Sequence, residues 1–192
     1  RTWGGKRDGA GRKPNGERAG VAHGPRAELR RRLPVHVTLR MAPDVYNLRN
    51  RRSFRVIARS LLVGADRFDV RVVSFSVQGN HIHLLVEAAC HVALGRTMKG
   101  LSVRIAKGMN VMMHRRGRVL GDRYHARALP TPTEVKRAIA YIRDNARKHA
   151  AKRGEIYSPR YVDPYSSAGA PHIPLPAAKT WLLGDGWKRA GP

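Results

Sequence analysis

Gly79-Asn80-His81-Ile82-His83-Leu84-Leu85-Val86-Glu87 decides how this chain folds. The run is apolar and has strand character. Successive side chains of a strand point to opposite faces, so His81 and His83 share one face, while Ile82, Leu84 and Val86 share the other. A sheet that buries the Ile82 face holds two imidazoles side by side on its other face. That pair is the beginning of a metal site. Gly79-Asn80 is a tight-turn signal, which makes the preceding segment the other arm of a hairpin.

Working outward, Asp69 to Val77 supplies that arm, with Val73, Phe75 and Val77 alternating. Pro34 to Met41 alternates as well, with Val35, Val37, Leu39 and Met41 on one face. Residues 53–65 read as a helix carrying Phe54, Ile57, Leu61 and Leu62. Residues 92–116 read as a longer one, with Leu94, Met98, Leu101, Ile105, Met109 and Met112 in a stripe and Gly117 as its C-cap. Arg123 to Leu129 is a fourth strand. A third helix starts with Thr131 as cap, Pro132 in the first turn and Glu134 completing a capping box. This order predicts an α+β protein built on a ferredoxin-like βαββαβ sheet, with helices on one face, the other face open, and one more helix at the C-terminal end.

The chain has 192 residues, 38 Lys+Arg against 13 Asp+Glu, and a formal charge of +25. So one-signed a charge points to a polyanion, and nucleic acid is the commonest. A single cysteine, Cys90, excludes an intrachain disulfide framework and a multi-cysteine zinc finger, and suits a reducing compartment. No apolar run approaches the ~20 residues of a membrane span. Residues 1–34 are Gly-, Pro- and Arg-rich and read as a flexible basic arm. Residues 35–150 form the domain. Residues 151–192 are an irregular, Pro-rich extension whose Trp181-Leu182-Leu183 and Trp187 are expected to dock on it.

On the third helix, Val135, Ala138, Ile139, Ile142 and Ala146 form the core stripe, and Tyr141 lies roughly 120° from its centre. Tyr141 shares a face with Arg137, Asn145 and Lys148, and Asn145 follows it by one turn. Two imidazoles and the amide oxygen of Asn145 would leave positions open for phosphate oxygens. That suits a divalent ion, Mg²⁺ or Mn²⁺, acting as a Lewis acid on a phosphodiester. The expected phosphate contacts are Arg12, Lys13, Arg30, Arg31 and Arg32 in the arm, Arg123 and Arg127 on the fourth strand, and Arg137 and Lys148 beside Tyr141.

Asn80-His81-Ile82-His83-Leu84-Leu85-Val86-Glu87 resembles the histidine-hydrophobic-histidine strand of the HUH nucleases. Tyr141-Ile142-Arg143-Asp144-Asn145 resembles the tyrosine helix of the single-tyrosine transposases, the insertion-sequence enzymes and their REP-associated relatives. The resemblance covers roughly residues 34–150, and Arg123-Tyr124-His125 also fits it. It implies a DNA strand-cleaving and rejoining enzyme of the bacterial cytoplasm, acting at the nucleoid. Its Tyr141 attacks single-stranded DNA and forms a 5′-phosphotyrosine, with metal held by His81, His83 and a helix residue. Asn145 stands where the family often has a longer glutamine. The resemblance further implies DNA with hairpin ends as substrate and allows a homodimer. Rejoining by transesterification needs no nucleotide cofactor, and no Gly-x-x-x-x-Gly-Lys loop is present.

Three rivals are weighed against this reading. A carboxylate-based two-metal nuclease needs clustered acids, and Glu87 is the one well-placed candidate. A zinc site from His81, His83, Cys90 and His91 lacks the usual spacing. A pure nucleic-acid-binding module would carry aromatics on the open sheet face, where the central strands carry histidines, while a non-catalytic, domesticated copy that binds single strands without moving them stays open.

Overall fold

The computed structural model describes residues 28, 29 and 33–191. Arg12, Lys13, Arg30, Arg31 and Arg32, and most of the basic arm, lie outside the described residues. Strand β1 (Pro34–Arg40) leads to α1 (Arg51–Gly64), a two-residue strand β2 (Asp66–Arg67), and the hairpin β3 (Val70–Val77) and β4 (His81–Ala88). Helix α2 (His91–Met112), strand β5 (His125–Ala128) and α3 (Pro132–Ala151) follow. The order β2-β3-β4-β1-β5 is antiparallel throughout, the expected ferredoxin-like sheet with an extra edge piece.

Each element starts where a side chain satisfies its orphan donors. Asn50 Oδ1 accepts from Ser53 N at 2.9 Å, so α1 begins at Arg51, before the first periodic apolar residue. Cys90 Sγ caps α2, accepting from Ala93 N. Thr131 caps α3 as expected, its Oγ1 accepting from Glu134 N at 3.2 Å. The Glu134 carboxylate accepts in turn from the Thr131 hydroxyl at 3.0 Å and from Arg127 at 2.7 Å.

Four expectations need correction. Helix α2 ends at Met112, and Gly117 is not its cap: His114 takes the left-handed conformation (φ 52°), and Arg115 N bonds back to Asn110 O. Gly117 (φ 113°) belongs to the loop beyond. Val73 does not alternate with Phe75 and Val77, because a bulge between Val72 and Ser74 reverses the facing. Val72, Phe75 and Val77 are fully buried, and Val73 turns to the opposite side. Arg123 precedes β5, which begins at His125. Finally, the second sheet face is not open.

Two cores explain that last point. Ile82, Leu84 and Val86 of β4 pack with Ile57 and Leu61 of α1 and Leu94, Met98, Leu101 and Ile105 of α2. On the other face, Leu85 and Leu129 pack with Val135, Ala138 and Ile142 of α3 and with Leu182 and Leu183. The apolar stripe of α3 requires such cover. Residues 151–191 carry the chain there. They run along the exposed end of β3, where Tyr165 O accepts from Val77 N at 2.8 Å and Phe75 O accepts from Ser167 N at 3.0 Å. Arg49 clamps Asp163 through two bonds of 2.9 Å. A short helix α4 (Trp181–Gly184) then seats Leu182 and Leu183, while Trp181 stays 55% exposed.

Glu87 holds this last segment. Its carboxylate is 3% exposed and accepts from Thr180 N and Oγ1 (both 2.7 Å), Lys179 N (3.0 Å) and Arg71 Nη2 (2.6 Å). Burial pushes its carboxyl up, but these bonds outweigh burial and leave it below the ordinary range. Glu87, the one carboxylate well placed for the rival two-metal reading, is therefore a structural anchor. Glu87→Ala strands the half-buried Arg71 head and two part-buried backbone donors, Lys179 N and Thr180 N. A loss of about 3–5 kcal/mol is expected, read as a fall in Tm of roughly 10 °C in a thermal melt.

Candidate active site

The pairing of β1 with β4 assembles the site. Thr38 lies opposite His83 and Arg40 opposite His81, so the polar residues of β1 fall on the histidine face. The His81 and His83 rings are 4.6 Å apart, edge to face. Their Nδ1 atoms are both engaged. His83 Nδ1 lies 3.1 Å from His36 Nε2 and 3.2 Å from Thr38 Oγ1, and His81 Nδ1 lies 2.8 Å from Asn80 Oδ1. With Nδ1 engaged in both rings, Nε2 is the nitrogen left to meet a ligand, the arrangement found in metal-ligating histidines.

Helix α3 lies over this pair. The Tyr141 ring is 5.1 Å from that of His83 and 5.8 Å from that of His36, all within one chain. Two turns on, the His149 ring is 5.9 Å from His81. Residues four apart lie on one helix face, so Asn145 sits between Tyr141 and His149, above the two histidines. It is 2% exposed, more deeply set than a surface position beside Tyr141, because the covered sheet widens the buried face of α3. Among the described residues, His83 Nε2 and Asn145 Nδ2 are buried side-chain atoms with no hydrogen-bond partner. The orphaned imidazole nitrogen of His83 calls for an explanation, and an ion is one; the orphaned Asn145 amide nitrogen is a hydrogen-bond donor, which a cation does not satisfy.

Whether a metal suits these residues can be tested on their chemistry. Burial, then the neighbouring His149 and Arg40, pushes His81 down to about 4. Burial, then His81 and His36, pushes His83 down to about 3. Both rings are neutral at pH 7, as ligands must be. The donor set of two imidazoles and an amide, with His83 Nε2 orphaned, fits a divalent ion. Among the described residues no group of three or more His, Cys, Asp and Glu side chains could hold a metal. Cys90 cannot join the donor set. It lies beyond the far end of β4, and the strand from His81 to Ala88 alone spans roughly 23 Å at 3.3 Å per residue.

The depressed histidines make stability depend on pH. Their folded values lie below 6.5, so the unfolded chain binds more protons between pH 6.5 and about 3, and stability falls as pH falls through that window. Depressed carboxylates act from 4.5 downward, so the slope between pH 6.5 and 5 belongs to histidine. His36 and His149 are also lowered, chiefly by burial, and add to it. Urea midpoints at pH 7.5, 6 and 5 should fall in that order, and His83→Gln should flatten the trend.

A cleft of about 530 Å³ opens beside Tyr141, lined by His36, Tyr141, Arg127, Arg137 and Lys148. Lys148 Nζ is 5.4 Å from the Tyr141 ring centre, a cation held against the aromatic face. Three of the four expected phosphate contacts among the described residues thus meet at the tyrosine. Arg127 is partly offset by its ion pair with Glu134. Arg123 is elsewhere, lining a cleft along α2 with Lys99 and Tyr124. Sequence reasoning brought neither His36 nor His149 to the site. The alternation of β1 places His36 on the face of His83, and the spacing 141, 145, 149 places His149 on the tyrosine stripe.

The family described as "Transposase IS200 like" matches residues 48–145. Among solved structures, the chain is similar to a REP-associated tyrosine transposase bound to a REP hairpin. The TM-score is 0.54 at 11% identity, covering 77% of this chain and 82% of that one. It is also similar to a bacterial tRNA(His) guanylyltransferase-like protein in complex with ATP, with TM-score 0.51 and 14% identity over 66% and 62% of the two chains. At such identities these likenesses speak for the fold alone. No curated protein sequence matches the chain.

Proposed function

The chain belongs to the IS200-like transposase family, and from that premise we propose that it cuts and rejoins single-stranded DNA through Tyr141. The observation that carries this is the Tyr141 ring 5.1 Å from His83, in the same chain and on the α3 stripe with buried Asn145. The Tyr141 oxygen attacks a phosphorus, a tyrosine–phosphorus bond forms, and the bond to the 3′ oxygen breaks. The phenolic proton ends on the departing 3′ hydroxyl, and the 5′ phosphate stays on the enzyme. A later 3′ hydroxyl reverses the step and rejoins the strand, so no external energy source is needed.

The residues divide the work. His36 and Thr38 orient His83, and Asn80 orients His81. A divalent ion, Mg²⁺ or Mn²⁺, held by His81, His83 and Asn145, would supply Lewis-acid polarisation of the phosphate. Arg127, Arg137 and Lys148 bring the backbone into the cleft. The substrate proposed is a single strand with a hairpin end. The test is a labelled strand of that kind incubated with Mn²⁺ and run on a denaturing gel. A slow protein–DNA adduct supports the reading. If no hairpin-bearing strand forms one, the protein binds DNA without cutting it.

A further inference from the structure

Residues 152–162 leave the C-terminal end of α3 and carry apolar side chains that neither core takes up. Ile156 is 97% exposed, and Val162 is exposed as well. Between them the half-buried rings of Tyr157 and Tyr161 stack on each other, centres 4.2 Å apart and planes 40° from parallel. The pair has a fixed seat. Arg147 of α3 donates to the carbonyls of Pro159 at 2.6 Å and Tyr161 at 3.3 Å. Arg49 clamps Asp163, two residues on, and donates to the Val77 carbonyl at the end of β3. An exposed aromatic cluster on a fixed seat marks a contact surface rather than core.

That seat adjoins the tyrosine site. Val77 ends β3 and His81 begins β4 across one turn, and the Arg49 charge acts on Tyr157, Tyr161 and His149 alike. The His149 ring in turn lies 5.9 Å from that of His81. A row therefore crosses the sheet in the order β3, β4, β1, β5: Arg49 at the end of β3, His81 and His83 on β4, His36 on β1 and Arg127 on β5. Its three strand spacings of ~4.8 Å make roughly 14 Å, about four nucleotide steps at ~3.4 Å each. At the Arg127 end the cleft offers cations for phosphates, and Tyr141 is the one Phe, Tyr or Trp that lines it. At the other end stand the two stacked rings. They belong to a basic stretch, residues 147–160, with five Lys+Arg and one acid, Glu155, itself paired to Arg153. Single strands are held by a basic track joined to aromatic faces on which bases stack.

We propose that Tyr157 and Tyr161 form a stacking platform for an unpaired base of the strand that Tyr141 cuts. The base lies on the outer face of the pair, and the backbone follows the row of strands to the cleft. The choice of a single strand as ligand rests on the proposed function. Stacking needs the rings and not the hydroxyls, so phenylalanine serves equally at both positions.

The test separates bases from phosphates. Two strands of about 12 nucleotides are titrated without metal near 0.1 M sodium chloride: an oligothymidylate, and an abasic strand with the same number of phosphates. The wild type should bind the base-bearing strand about 5- to 150-fold more tightly, the range for one stacked base. Tyr157→Ala/Tyr161→Ala should bind both strands nearly alike, with affinity for the abasic one within about twofold of the wild type on the same scale. Tyr157→Phe/Tyr161→Phe should keep the wild-type ratio. Circular dichroism and Tm check the fold of each. If the double alanine variant does not fold, Tyr157→Leu, which keeps apolar bulk without an aromatic face, should show the same loss of ratio. An unchanged ratio in the alanine or leucine variant overturns the proposal, as does equal weakening on both strands. Loss of the ratio in the phenylalanine variant overturns it in favour of hydrogen bonding by the hydroxyls. Failure of the wild type to form any adduct counts against the tyrosine chemistry, while the affinity ratio, measured without cleavage, still decides the platform.

Discussion

Tyr141→Phe is expected to abolish adduct formation and strand cleavage, a loss of at least about 10³-fold, while DNA binding and fold survive. The substitution removes one oxygen. Among the described residues the Tyr141 hydroxyl makes no recorded hydrogen bond, and the ring's edge contacts with His83 and His36 do not need it. Stability should therefore change by less than about 0.5 kcal/mol. The other tyrosines have different work. Tyr157 and Tyr161 stack on each other at 4.2 Å, and Tyr165 packs on Phe54 and under Arg49. Phe at any of these positions should leave the adduct intact. An adduct that persists in Tyr141→Phe would move the nucleophile elsewhere.

His83→Ala should remove cleavage as completely and, unlike the tyrosine variant, should also remove metal binding. His83 is 4% exposed, and its Nδ1 is engaged on the sheet side, so its orphaned Nε2 is the atom left to take a ligand. Titration of the wild type with Mn²⁺ by calorimetry should show one site, and His83→Ala should show none. Truncation of a buried imidazole also costs roughly 1–3 kcal/mol, so both proteins need comparison below their melting ranges. Full cleavage by the wild type in excess chelator would contradict the assignment of His81 and His83 as ligands.

The parts of this protein that were legible in the sequence are those governed by local rules. Alternation in Val35-His36-Val37-Thr38-Leu39 and His81-Ile82-His83 fixes which face each side chain takes, and the structure agrees. Thr131, Pro132 and Glu134 mark the start of α3 to the residue. The parts that were not legible depend on tertiary partners. A bulge at Val72–Ser74 leaves no mark in an apolar run, since Val72 and Val73 both look like core. The covered second face follows from residues 151–191 crossing it, and a Pro-rich segment gives no periodic signal of where it docks. Glu87 looked like a catalytic carboxylate because its strand position is right. Only Lys179 and Thr180, more than ninety residues later, reveal it as an anchor. Spacing singled out the histidine pair, Tyr141 and Asn145, and the structure places the Tyr141 ring beside His83 with Asn145 on the same helix stripe. His36 and His149 required the register of β1 and the placement of α3.

The most direct measurement is the identity of the residue joined to DNA. The wild-type adduct, formed with Mn²⁺ and a hairpin-bearing strand, is digested with nuclease and trypsin and analysed by tandem mass spectrometry. Cleavage after Arg137 and Arg143 releases Ala138–Arg143, in which Tyr141 is the one hydroxyl-bearing side chain. The expected result is that peptide carrying a 5′-linked nucleotide on Tyr141, with a free 3′ hydroxyl on the released strand. A nucleotide on any other residue, or a released strand ending in a 3′ phosphate, would contradict the account.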